Sequence, residues 1–79
     1  MALKAFVLIV SEIGKTKDVV GALGKVEGVK LADAVIGPYD IIAMVEAKDL
    51  KGIGNLVTGK IHPIPGVAKT ITCPSVLLS

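Results

Sequence analysis

The side chains able to do chemistry are few and far apart. Ser11, Ser75, Ser79 and Cys73 are the candidate nucleophiles, and the sole histidine, His62, sits at a helix end before Pro63, so no nucleophile has a base at a readable spacing. His62 reads instead as a last-turn helix residue favoured by the helix dipole, and Cys73 as a small hydrophobe packed like its aliphatic neighbours. The acids Glu12, Asp18, Glu27, Glu46 and Asp49 are dispersed and read as surface or capping groups. One cysteine forms no internal disulfide, and one histidine makes no metal-ligand cluster. The glycines never assemble into GxGxxG or GxxxxGK, and the first loop carries no CxxC. The expectation is therefore no catalytic residue, no metal, no cofactor and no enzyme activity.

One short cluster does combine binding groups. Gly37-Pro38-Tyr39-Asp40 joins a flexible glycine, a hydroxylated aromatic and a carboxylate. Together they suit a zwitterion: Asp40 accepts hydrogen bonds from an ammonium, backbone N–H groups of the turn hold a carboxylate, and Tyr39 covers an aliphatic side chain. By itself the same tetrapeptide also reads as a turn with a self-bonding aspartate.

The elements that must position this cluster follow from hydrophobic spacing. Residues 3–11 are rich in branched and aromatic side chains and read as a first strand; from Thr16 the positions Val19, Ala22 or Leu23, and Val26 have helical spacing, with Gly24 and Gly28 as stop signals. Residues 29–36 predict a second strand, Gly37 and Pro38 a turn, and residues 39–47 a third strand. Asp49 caps a second helix whose stripe is Leu50, Ile53, Val57 and Ile61, ending before Pro63 and Pro65. A last strand runs from Val67 to roughly Leu77, with Pro74 at an edge position or bulge.

The two halves match. A shift of 38 positions carries Leu3, Ala5 and Val7 onto Ile41, Ala43 and Val45, and Val26, Gly28 and Val29 onto Ile64, Gly66 and Val67. A duplicated βαβ unit of this kind predicts an α+β, ferredoxin-like βαββαβ fold, a four-stranded antiparallel sheet of order 4-1-3-2 with two helices on one face. The chain then forms a single domain, residues 1–79. Helices cover only one sheet face, yet the central strands are apolar on both: Phe6, Leu8, Val10, Ile42 and Met44 fall on the uncovered side. Leaving five such side chains wet, at roughly 1.5–3 kcal/mol each, forfeits an amount comparable with the stability of a small domain. Pairing of the sheet with a second copy is the expected remedy, as in the dimeric α/β-barrel type.

Composition agrees. Apolar residues make up 52% of the 79, more than a domain of this size usually buries alone. The longest apolar run, residues 5–10, is far shorter than the roughly 18 residues of a membrane span, and no secretory leader is evident, so a cytoplasmic location is expected. Nine lysines are scattered singly and arginine is absent, which argues against direct DNA binding.

The segments AFVLIV (5–10), VEGVKLADAVIGPYDIIAMVEAKD (26–49) and IHPIPGVAKTIT (61–72), with the overall length, resemble the ligand-binding domain of the Lrp/AsnC transcription regulators. The resemblance implies dimers joined through their sheets, further assembly into octamers or similar rings, and an amino-acid effector bound between dimers. By position it implies effector contacts from Gly37, Tyr39 and Asp40, with Thr70 and Thr72 of the TIT segment contributing. Residues 1–79 hold no helix-turn-helix, so the resemblance is to a stand-alone effector domain that modulates regulation through association with full-length regulators. Pro38 departs from the polar residue many relatives carry there. Two alternatives differ in where the chemistry lies. An ACT-like amino-acid module places its ligand at Ile13-Gly14-Lys15, and a small dimeric α/β-barrel enzyme needs an inward histidine or acid between sheet and helices.

Overall fold

The computed structural model describes residues 2–76. Four strands, β1 (Leu3–Ser11), β2 (Val29–Ala34), β3 (Ile41–Ala47) and β4 (Val67–Pro74), form one antiparallel sheet in the order β2-β3-β1-β4. Two helices connect them: α1 (Thr16–Leu23), and α2 (Leu50–Leu56), whose last turn, Val57–Ile61, is π-helical. This is the ferredoxin-like βαββαβ arrangement expected from the duplication.

Strand alternation builds the core. Ala5, Val7 and Ile9 of β1 and Ile41, Ala43 and Val45 of β3 are fully buried beneath Val19 and Leu23 of α1 and Ile53, Val57 and Ile61 of the second helix. The layer is dry: none of the described residues is a buried polar or charged one. Leu50 breaks the expected stripe. At the first helical position it is 61% exposed, and Leu56 packs against the core in its stead. Asp49 caps the helix as expected, its Oδ1 accepting from the Gly52 N–H at 2.8 Å.

The duplication extends to the helix exits. Val29 N–H bonds the Val26 carbonyl across Gly28, and Val67 N–H bonds the Ile64 carbonyl across Gly66, both at 3.2 Å. Gly28 and Gly66 take φ of +100° and +101°, a conformation that a Cβ disfavours.

Three boundaries differ from expectation. β2 stops at Ala34 and β3 starts at Ile41, so the hairpin connection is residues 35–40 and not a two-residue turn; Ile36 is wholly exposed. β4 ends at Pro74, after which the Ser75 N–H makes one more bond to the Lys4 carbonyl at 2.8 Å; Leu77, the expected end of the strand, lies outside the described residues.

The other sheet face carries no helix. Across it Leu31, Met44, Phe6 and Cys73 form one cross-strand row, and Asp33, Ile42, Leu8 and Ile71 the next. Phe6, Leu31, Ile42 and Ile71 are between 36% and 51% exposed. Cys73 is therefore not a packed core residue: its strand position turns it onto this open face, where it is exposed. Lys4 and Glu46 face each other at one end of the patch, and the Lys4 Nζ lies 5.6 Å from the Phe6 ring centroid.

Candidate functional site

Asp40 is anchored from three directions. Its N–H donates to the Ile9 carbonyl at 2.9 Å, its carbonyl accepts from Val35 N–H at 2.8 Å, and its carboxylate oxygen Oδ2 accepts from Ser11 N–H at 2.8 Å. The Ser11 hydroxyl lies 3.3 Å from the same oxygen and 2.6 Å from the Thr16 hydroxyl. A chain of contacts thus runs from the β2–β3 connection through the end of β1 to the first residue of α1. A carboxylate has about four acceptor positions, so holding Ser11 leaves Asp40 with further acceptor capacity. The self-bonding turn reading was close in kind. The partner, however, is the strand next door and not the turn's own backbone.

Beside Asp40, Tyr39 is half-buried and Gly37 and Pro38 are exposed, with Gly37 at φ +152°. Thr70 and Thr72 are half-buried on β4, opposite Ile9 and Val7, hence on the helix-facing side of the sheet edge. Ile9 pairs with Ile41 on one flank and Thr70 on the other. The hairpin and the TIT segment therefore meet at the same end of the sheet. One strand, or about 10 Å of sheet, separates them, so within one chain they flank a common edge without sharing a hydrogen bond.

Thr70 borders a cavity of about 340 Å³ lined also by His62, Val67, Ala68 and Lys69, a size within the range of small-ligand sites. His62 Nε2 and Thr70 Oγ1 share a 2.7 Å hydrogen bond. Sequence reasoning placed His62 at a helix end, which is correct, but missed its contact with Thr70. It also missed Ser11 and Thr16. The legible signal for those two was a pair of hydroxyl residues bracketing a strand-to-helix turn.

The Ser11 bond gives a way to separate Asp40's charge from its structural work. Asp40→Asn retains an acceptor for Ser11 and is expected to fold with a melting temperature within a few degrees of the parent. Asp40→Ala, which strands a half-buried N–H, is expected to cost about 1–3 kcal/mol. Thermal denaturation of the two variants side by side checks this.

Residues 4–76 match the family model described as the Lrp/AsnC ligand binding domain. No curated protein matches the sequence. Among solved structures, FFRP-DM1 is 35% identical with a TM-score of 0.88, over 94% of this chain and 99% of that one. A hypothetical protein from Pyrococcus horikoshii is 36% identical with a TM-score of 0.87, over 99% of this chain and 93% of its own. A Neisseria meningitidis transcriptional regulator, solved as an L-Met complex, is 16% identical and shares the fold at a TM-score of 0.85; the match covers 95% of this chain and 50% of the regulator. No described helix is long and apolar enough to cross a membrane.

Proposed function

The chain belongs to the Lrp/AsnC ligand-binding domain family, and on that premise we propose that it is a non-enzymatic effector-binding and oligomerisation domain acting in the cytoplasm. The family match over residues 4–76 carries the proposal. The effector is an amino acid or related small metabolite, and the bound L-methionine of the Neisseria regulator is in keeping with that chemistry. The site is assembled between dimers, from Gly37, Tyr39 and Asp40 of the β2–β3 connection with Thr70 and Thr72 of β4.

The dry layer between sheet and helices supports the non-enzymatic part, because an active site there needs an inward acid or base and the described residues offer only aliphatic side chains. Dimers form through the open sheet face, whose two cross-strand rows span all four strands and are apolar except for Asp33 at the β2 end. Placing the hairpin connection at a second interface explains why a single chain separates Asp40 from Thr70 by a strand: the halves of the site are completed by a neighbouring dimer. Rings such as octamers follow from that second contact. Regulation is exerted through mixed assemblies with full-length regulators and not by direct DNA contact.

Titration calorimetry on variants tests the site. Tyr39→Ala removes the half-buried aromatic wall and is expected to weaken amino-acid binding by tenfold or more, about 1.4 kcal/mol. Asp40→Asn removes the charge opposite the ammonium and is expected to do the same without loss of fold. Affinities unchanged in both variants would remove Tyr39 and Asp40 from the site.

A further inference from the structure

The end of β1 stands between the β2–β3 connection and the entry to β4. Ser11 bonds Asp40 on one side, and on the other the next residue, Glu12, donates its N–H to the Gly66 carbonyl at 2.7 Å, one residue before β4 begins. The pairing with β4 slips at the same place: Val10 faces Lys69 but Ser11 faces Val67, which leaves Ala68 as a bulge. The strand end is fixed in turn to α1, because the Ser11 hydroxyl lies 2.6 Å from that of Thr16, the first residue of the helix.

The donors on Asp40 are unevenly distributed. Both the Ser11 N–H, at 2.8 Å, and the Ser11 hydroxyl, at 3.3 Å, reach Oδ2, and none of the described residues donates to Oδ1. Oδ1 is also open to solvent, since no described side-chain oxygen is buried without a partner. A carboxylate only accepts, so the hydroxyl chain has one direction: Thr16 donates to Ser11 Oγ, and Ser11 donates to Asp40. The backbone N–H by itself satisfies the end of the strand. The hydroxyl adds a second donor on the same oxygen, which holds the carboxylate in one orientation and leaves Oδ1 to an incoming donor.

We propose that Ser11 is a positioning residue of the effector site, with Thr16 orienting its hydroxyl: it occupies Oδ2 of Asp40 and so presents Oδ1 to the ammonium of the bound amino acid. The proposal rests on the effector reading above and adds two residues that act through Asp40. Titration calorimetry of the full chain in its native assembly tests it, with the amino acid that gives the largest heat in a complete panel and with the α-hydroxy acid of the same side chain, which lacks the ammonium. Ser11→Ala keeps the N–H that meets Oδ2 and is expected to fold, to weaken amino-acid binding by about fivefold and to leave the hydroxy acid's affinity unchanged. Thr16→Val is expected to cause a smaller loss of the same kind, and Ser11→Thr, which restores a hydroxyl, to bind as the parent does. In an Asp40→Asn background, adding Ser11→Ala is expected to cost no further affinity. Parent-like binding by Ser11→Ala, an equal loss for both ligands, or an undiminished loss in the Asp40→Asn background overturns the proposal and spares the effector reading. A panel without saturable binding of any amino acid overturns both.

Discussion

Leu8→Glu is expected to convert the assembly to folded monomers. Leu8 sits at the centre of the open sheet face, between Ile42 of β3 and Ile71 of β4. In a single chain this face is accessible, so a carboxylate there meets water and the fold tolerates it. In a sheet-to-sheet dimer the same carboxylate is buried against apolar side chains, once from each partner. An unpaired buried charge costs about 3–5 kcal/mol, so the pair is expected to raise the dissociation constant by at least a thousandfold. Sedimentation velocity at micromolar concentration reads the mass, and circular dichroism confirms the retained fold. An assembly of unchanged mass would place the dimer contact elsewhere.

The second large effect concerns a helix exit. Gly66 combines φ of +101° with crowding: an added Cβ would lie 2.8 Å from the Lys15 Cβ and 3.0 Å from the Val19 Cγ2. Gly66→Ala therefore carries backbone strain of about 1–2 kcal/mol together with overpacking of about 1–3 kcal/mol. The sum, about 3 kcal/mol, corresponds in a domain of this size to a fall in melting temperature of more than about 10 °C. Gly54→Ala is the informative contrast. That glycine lies within α2 with open space where its Cβ would sit, and the change is expected to stabilise by about 0.5–1 kcal/mol. Differential scanning calorimetry of the two variants checks sign and size together.

The fold was legible where periodicity encodes it. Ala5, Val7 and Ile9 alternate with Phe6, Leu8 and Val10, and the structure buries the first set and leaves the second on the open face. The shift that lays one half on the other also anticipated the matching exits at Gly28 and Gly66, because a duplicated unit repeats its turns as well as its core. Leu50 was misread since a helix's first residue can satisfy the stripe's spacing and still project past the sheet. Cys73 was misread because a hydrophobic residue type says nothing about which face of an edge strand it occupies.

The sequence names candidate site residues but not the contacts among them. Gly37, Tyr39 and Asp40 stand out by type, whereas Thr70 and Thr72 enter only through the family resemblance. That Asp40 bonds Ser11, and through it reaches Thr16, depends on the lateral pairing of β1 with β3, which no local pattern records. The π turn that presents His62 is equally silent, since the shift from four-residue to five-residue bonding leaves the spacing of Ile53, Val57 and Ile61 intact. The bulge at Ala68 has the same property. The bulge becomes visible only with the sheet register in hand, and the π turn only with the hydrogen bonds of the helix.

Titration calorimetry of the unmodified protein in its native assembly, against a complete panel of amino acids, tests the central claim most directly. At least one amino acid is expected to bind saturably, with no more than one site per chain. A panel in which no amino acid produces saturable heat would contradict the assignment of this chain as an amino-acid effector domain.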